Sequence, residues 1–111
     1  MKLFVIVLAL ALTACTPPET SGIKAIVGAK LIPAPNRPPI EYSVVIIENG
    51  KFREVGPQSA IPVPKGAEIT RGNGSTIESV PGGGPIEAGQ SADLLLEGAT
   101  KREMRHGDWV N

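Results

Sequence analysis

The residue types able to do chemistry are few and widely spaced. The chain of 111 residues has one cysteine, Cys15, and one histidine, His106. Metal-assisted hydrolysis needs three or more protein ligands and an open position for water. A lone imidazole in Arg105-His106-Gly107 cannot supply them. That tripeptide reads as a solvated turn, and a ligand role for His106 requires partners from another chain. Glu87, Asp93 and Glu97 are too scattered to form an acid–base pair. Asp93 reads as a structural acceptor for nearby backbone at the start of a strand. Ser75 and Ser79 lack His and Asp partners in a recognisable order for nucleophilic catalysis. Gly82-Gly83-Gly84 lacks the Lys-Ser/Thr of a phosphate loop and reads as a flexible joint. No catalytic residue, metal ligand or cofactor is therefore expected. What remains is the thiol of Cys15, which sits behind two small residues, Thr13 and Ala14.

The surroundings of that thiol are specific. Residues 1–15 read MKLFVIVLALALTAC. Lys2 gives a positive start, and Leu3 to Leu12 form an apolar run too short to span a bilayer but suited to the core of a secretory signal. The end of the run, Leu12-Thr13-Ala14-Cys15, resembles the lipobox of bacterial lipoproteins. The resemblance implies cleavage between Ala14 and Cys15, diacylglycerol on the sulfur and an acyl chain, such as palmitate, on the new amine. An ordinary signal cut elsewhere, or a buried N-terminal segment, is the alternative. With Cys15 lipidated, no thiol remains for a disulfide or a thiolate metal site. Several acyl chains also hold far more firmly than one. Thr16, rather than Asp, follows the cysteine. By resemblance to the Gram-negative sorting pattern this implies the periplasmic face of the outer membrane; in a Gram-positive source it implies the outer face of the plasma membrane.

The expected organisation is a signal peptide over residues 1–14, a tether over 15–21 and one small domain over 22–111. The tether carries TPPETS, polar and Pro-bearing. Eleven basic and eleven acidic residues cancel, so neither nucleic acid nor acidic lipid is favoured as a partner. Membrane lipid, through acylated Cys15, is the expected partner, and an envelope protein partner stays open.

The elements of the domain are short and β-like. Ile23 to Ile32 is one apolar run, broken by PAPNRPP at Pro33–Pro39. Tyr42 to Ile47 is apolar on both faces and predicts a central strand. Asn49-Gly50 predicts a type I′ hairpin, with Lys51 to Val55 as the return strand. Gly56 to Gly66 is a Pro-marked loop. Glu68 to Arg71 and Ser75 to Val80 flank a turn at Gly72-Asn73-Gly74. Asp93 to Glu97 predicts a strand, and Arg102–Arg105 with Asp108–Val110 predicts a last hairpin around His106-Gly107. Trp109 fits a core or edge aromatic, whereas an exposed Trp there would point to a binding surface. Short strands with frequent turns give an all-β domain, a small sandwich or partly open barrel.

In order, these elements resemble the ends of metal-dependent amidohydrolases. The N-terminal motifs are Ile23 to Ile32, Val45-Ile46-Ile47-Glu48-Asn49-Gly50-Lys51-Phe52, Val55-Gly56-Pro57 and Pro62-Val63-Pro64-Lys65-Gly66-Ala67-Glu68. Ile86 to Leu96, with its Ala92-Asp93-Leu94, resembles the C-terminal signature, and Arg105 to Val110 its closing hairpin. The likeness covers Gly22 to Val110. It implies the composite β-sandwich that the two termini of such enzymes build beside a (β/α)₈ barrel. In the family, Pro-Gly leads into a His-x-His strand at the barrel's mouth. Here Pro81-Gly82 runs into Gly83-Gly84-Pro85, and a barrel of roughly 250 residues is absent. The connection after Gly98 is also shortened, to Ala99-Thr100-Lys101.

The resemblance implies a lipid-anchored, barrel-less composite domain, non-catalytic on its own. Two other readings stand beside it: a partial amidohydrolase, acting on C–N bonds only with a separate barrel, and a generic small envelope binding module. The lipid anchor has a direct test. Cys15→Ser is expected to leave the precursor unprocessed and to abolish incorporation of labelled fatty acid. Unchanged mobility and undiminished labelling in that variant would remove the lipoprotein reading.

Overall fold

The run Ser43-Val44-Val45-Ile46-Ile47 has no polar face, so the chain must cover it on both sides. The structure is a computed structural model and describes residues 22–110; the expected signal peptide and the whole of the tether, Cys15 included, lie outside them. Among the described residues there are nine strands: β1 Lys24–Val27, β2 Lys30–Leu31, β3 Ser43–Glu48, β4 Lys51–Pro57, β5 Glu68–Arg71, β6 Thr76–Glu78, β7 Leu94–Glu97, β8 Lys101–Arg105 and β9 Asp108–Val110. They form one sheet of order β4-β3-β1-β5 and a second of order β2-β6-β7-β8-β9. The domain is all-β, as expected, and the apolar run is an internal strand, β3.

Alternation along the strands divides the core into two layers. Ile26, Val45, Ile47 and Phe52 of the first sheet meet Leu31, Ile77, Leu94, Leu96 and Met104 of the second. The opposite face of the first sheet presents Ala25, Val27, Val44 and Ile46. It is covered by Ile61 and Val63 from the Pro-marked loop and by Ala67 just after it. Each fully buried Ile or Val on β3 contributes about 1.5–3 kcal/mol relative to exposure. That loop is therefore part of the core, although its sequence reads only as a connection.

Two chain segments pass from one sheet to the other side by side. β1 pairs in parallel with β5, and beyond the bend β2 pairs in parallel with β6. The pairing continues through the corner itself: Gly72 N donates to Val27 O at 2.7 Å and Lys30 N to Ser75 O at 2.9 Å. The run Ile23 to Ile32, expected as one apolar stretch, is thus two strands in different sheets, cut at Gly28-Ala29. Likewise β5 and β6 flank a turn but do not pair with each other. Ser43 secures the corner from below. Its N and its Oγ both donate to Ala29 O, at 2.9 and 2.8 Å, which satisfies a fully buried hydroxyl.

The segment after the three glycines joins the same core. β7 pairs antiparallel with β6 through Thr76–Glu97, Ile77–Leu96 and Glu78–Leu95. The strand expected over Asp93–Glu97 thus shares a sheet with the N-terminal part of the chain. Just before β7 the chain also bonds the edge of β4. Gly89 N donates to Phe52 O, Phe52 N to Gln90 O and Ala92 N to Gly50 O, at 2.8 to 2.9 Å. These bonds close one flank of the sandwich. On the other flank β5 and β9 are edges, which makes the domain a partly open barrel.

The hairpin at Asn49-Gly50 has the expected type I′ turn, and the expected hairpin at His106-Gly107 shares that form. Asn49 and Gly50 have φ of 55° and 77°, and His106 and Gly107 have 50° and 83°, the left-handed pair of a type I′ turn. β4 carries a bulge at Arg53, since Ile46 faces Glu54 while Ile47 faces Phe52, and it runs on to Pro57, past the expected Val55.

The corner predicts a selective sensitivity. A Cβ on Gly72 would lie 2.8 Å from Ala29 Cβ and 3.3 Å from Ala29 N, so Gly72→Ala is expected to cost about 1–3 kcal/mol. Gly84 has free space, with its nearest neighbour at 3.5 Å, and Gly84→Ala should stay within about 0.5 kcal/mol of wild type. Urea unfolding of the two variants measures the difference.

Candidate functional site

Three residues of acyl-transfer type come together at the tips of the two hairpins. Ser91 Oγ lies 2.9 Å from His106 Nδ1. Asp93 Oδ1 accepts a hydrogen bond from His106 N at 2.8 Å. β7 begins at Leu94, so Ser91 and Asp93 stand just before it, and His106 opens the β8–β9 turn. Topology alone unites them. Ser91 is the member that reading the sequence missed; only its two-residue spacing from Asp93 in Ser91-Ala92-Asp93 hinted that it belonged there.

The wiring is not that of a catalytic triad. A triad needs the carboxylate on one ring nitrogen, to hold the tautomer, and the hydroxyl on the other. Here the carboxylate takes the backbone N–H of His106, and the serine takes Nδ1, the nitrogen a triad carboxylate would use. His106 is exposed and Ser91 half-buried. The arrangement is a clasp. Between Ser91 and Asp93, Ala92 donates to Gly50 O at 2.9 Å, and its own carbonyl accepts from Gly107 N at 3.0 Å. The Gly50 and Gly107 turns themselves touch: a Cβ on Gly107 would lie 3.0 Å from Gly50 Cα. Asp93 therefore has the structural role its position suggests, but the backbone it caps is distant in sequence.

The remaining candidates are dispersed. Glu87 pairs with Arg37 at 2.8 Å and Glu97 with Lys101 at 3.6 Å, both at accessible positions where such pairs contribute little. Among the described residues no group of three His, Cys, Asp or Glu side chains is placed to hold a metal ion. Ala14 and Cys15 lie outside the described residues. Trp109 is half-buried against the inner core, with the Arg102 guanidinium 4.0 Å from its ring centroid.

The glycine joint is a turn with its own bonds. Gly83 N donates to Val80 O at 2.8 Å, and Ser79 Oγ to Gly84 O at 3.0 Å. Ile86 N then donates to Pro33 O at 2.9 Å, which docks the returning chain beside the Pro-rich loop. A groove of about 620 Å³ lies over the joint, lined by Ile32, Ala34, Arg37, Glu78, Val80 and Pro85 among others. Ser79 is thus occupied with the joint.

The chain is similar to the solved structure of molinate hydrolase, with 31% identity over 50% of this chain and 12% of that one, and a TM-score of 0.46. It therefore spans about an eighth of that protein's length. No protein-family model matches the chain, and no curated protein matches it.

The clasp predicts an effect on stability that separates it from a triad. Asp93→Ala removes a charged acceptor and should cost about 1–2 kcal/mol; Asp93→Asn, which keeps an acceptor oxygen, should recover part of the loss. Ser91→Ala should stay within about 0.5 kcal/mol. Thermal unfolding of the three variants checks the order.

Proposed function

We propose that this chain is a lipid-anchored envelope protein whose β-sandwich is an amidohydrolase-type composite domain without its barrel, and that it does not catalyse a reaction by itself. The observation that carries this reading is the β6–β7 pairing across the glycine joint. Two segments bearing motifs that resemble the two ends of such enzymes share one sheet, and the connection between them, residues 79–93, carries the glycine turn at the point where the barrel would be inserted. Domain insertion succeeds at exposed turns whose two ends lie close together. The turn from Val80 to Gly83, closed by the Gly83 N to Val80 O bond, meets that condition from either direction, whether the barrel is gained or lost.

The described residues offer little to hydrolysis in isolation. The Ser91–His106–Asp93 clasp has its carboxylate on backbone, and the chain's one imidazole is part of it. The lipobox-like Leu12-Thr13-Ala14-Cys15 supports the anchor, with Thr16 favouring the outer membrane in a Gram-negative source. A second reading is activity gained by pairing with a separate barrel, and the groove beside the glycine joint is the observation that favours it.

The test is metal content and hydrolysis together. A soluble form beginning near Gly22 is expected to bind no stoichiometric zinc and to turn over no amide or ester. Tight zinc binding lost in His106→Ala, with hydrolysis that follows the metal, would overturn the non-catalytic reading. Hydrolysis that emerges only on adding a separately expressed barrel would support the second.

A further inference from the structure

We propose that the groove beside the glycine joint binds an organic cation on a short apolar stem, an alkylammonium being the simplest, with Glu78 as its counter-ion. The inference goes beyond the function proposed above and needs neither the lipid anchor nor a barrel. Register fixes which face of the sheet forms the floor. β2 and β6 run in parallel, with Lys30 beside Thr76 and Leu31 beside Ile77, which puts Ile32 beside Glu78. Leu31 and Ile77 belong to the inner core, so by alternation Ile32 and Glu78 stand on the outer face of the second sheet. The groove of about 620 Å³ is lined by Ile32 and Glu78 and by neither Leu31 nor Ile77. It therefore lies on that outer face, walled by the Pro-rich loop and by the joint.

Glu78 is half-buried there and, among the described residues, belongs to no ion pair. The cations that share its face are held by other carboxylates. Lys30 pairs with Glu41 at 3.9 Å, Lys101 with Glu97 at 3.6 Å, and Arg105 with Glu103. Arg37 also lines the groove, but it pairs with Glu87 at 2.8 Å, and both residues line the next hollow as well. Arg37 and Glu87 cancel, which leaves the charge of Glu78 uncompensated. A partly desolvated carboxylate without a counter-ion is costly. A cationic ligand removes that cost.

The walls select the same class. Pro35 and Pro85 have no N–H, so their backbone offers acceptors without donors. Donors of the joint are spent within it: Ser79 Oγ on Gly84 O and Gly83 N on Val80 O. An ammonium is all donor and suits such a site, whereas an anion meets a carboxylate and occupied donors. Ile32, Ala34 and Val80 supply apolar surface for a methylene stem beside the charge. A free alkylamine and the side chain of a lysine in a peptide share this chemistry.

The probe is n-butylammonium, titrated into the full chain at constant ionic strength and followed by backbone amide NMR shifts. The amides of Ser79, Gly82 and Gly84 should shift saturably. n-Butanol, with the same stem and no charge, should bind at least about tenfold more weakly. Glu78→Gln should weaken the butylammonium response by about tenfold. Glu97→Gln, which removes the same charge from the same face outside the groove, should leave the response unchanged. Should Glu78→Gln fail to fold, the comparison of butylammonium with butanol on the unaltered chain still decides. A blocked Ala-Lys-Ala peptide then separates the sources. Tighter binding than butylammonium assigns a lysine side chain, and equal or weaker binding assigns a free alkylamine. Shifts that do not saturate, butanol binding as tightly as butylammonium, or a response that survives Glu78→Gln overturns the proposal.

Discussion

The fold depends on a paired corner. Two short strands that run in parallel in the first sheet bend together and run in parallel in the second. The bonds from Gly72 to Val27 and from Lys30 to Ser75 carry the ladder through the bend. A lone strand bending between sheets would leave backbone groups unpaired at the bend, which is costly when buried. Two strands bending together pair with each other there. The arrangement needs very small residues at the contact, and it has them: Gly72 packs directly on Ala29. Ser43 adds the remaining donors from β3. Every other strand is placed relative to this corner, β3 and β4 on one side and β7 to β9 on the other.

The second constraint is closure. A sandwich built only on the corner could splay at its far end, and the chain prevents this with the residues that precede β7. The Ala92-Asp93-Leu94 stretch has a distinct duty at each position. Ala92 is fully buried and bonds both hairpin turns, Asp93 caps the His106 turn, and Leu94 enters the inner core. Larger or apolar residues at the first two positions would break one of these contacts. The flank without such a clasp is the one lined by Thr70 and Arg102. Openness there follows from polar inward positions that cannot seal against each other.

Local chemistry made much of this legible in the sequence. Asn49-Gly50 and His106-Gly107 announced their turns because few other dipeptides accept two consecutive positive φ values. β3 announced itself as central through its unbroken apolar run. Reading failed where only tertiary position decides. Gly28, with φ of 97°, is a local mark of a bend in Ile23–Ile32, but nothing local says that the two halves belong to different sheets. Ile61 and Val63 in the Pro-marked loop gave no period to show that they cover the outer face of β3. Ser91 joined His106 through a contact fifteen residues apart that no spacing rule encodes.

These constraints bear on whether the segments before and after the glycine joint make one domain. The glycine joint lies at the edge of the core and outside the corner, and the strands on either side of it are already partners. The segment after the joint supplies Leu94, Leu96 and Met104 to the inner layer. Without it Ile26, Val45, Ile47 and Phe52 lose their cover, and the later strands alone are marginal in water, so neither segment is expected to fold without the other. The decisive measurement is hydrogen exchange after a single cut within Gly82–Gly84, made through an introduced protease site. The two fragments are expected to stay together as one non-covalent unit, with the amides of β6 and β7 still protected. Fragments that separate and each unfold cooperatively alone, or loss of protection throughout residues 86–110 while the rest stays folded, would contradict the claim that the two segments make one domain.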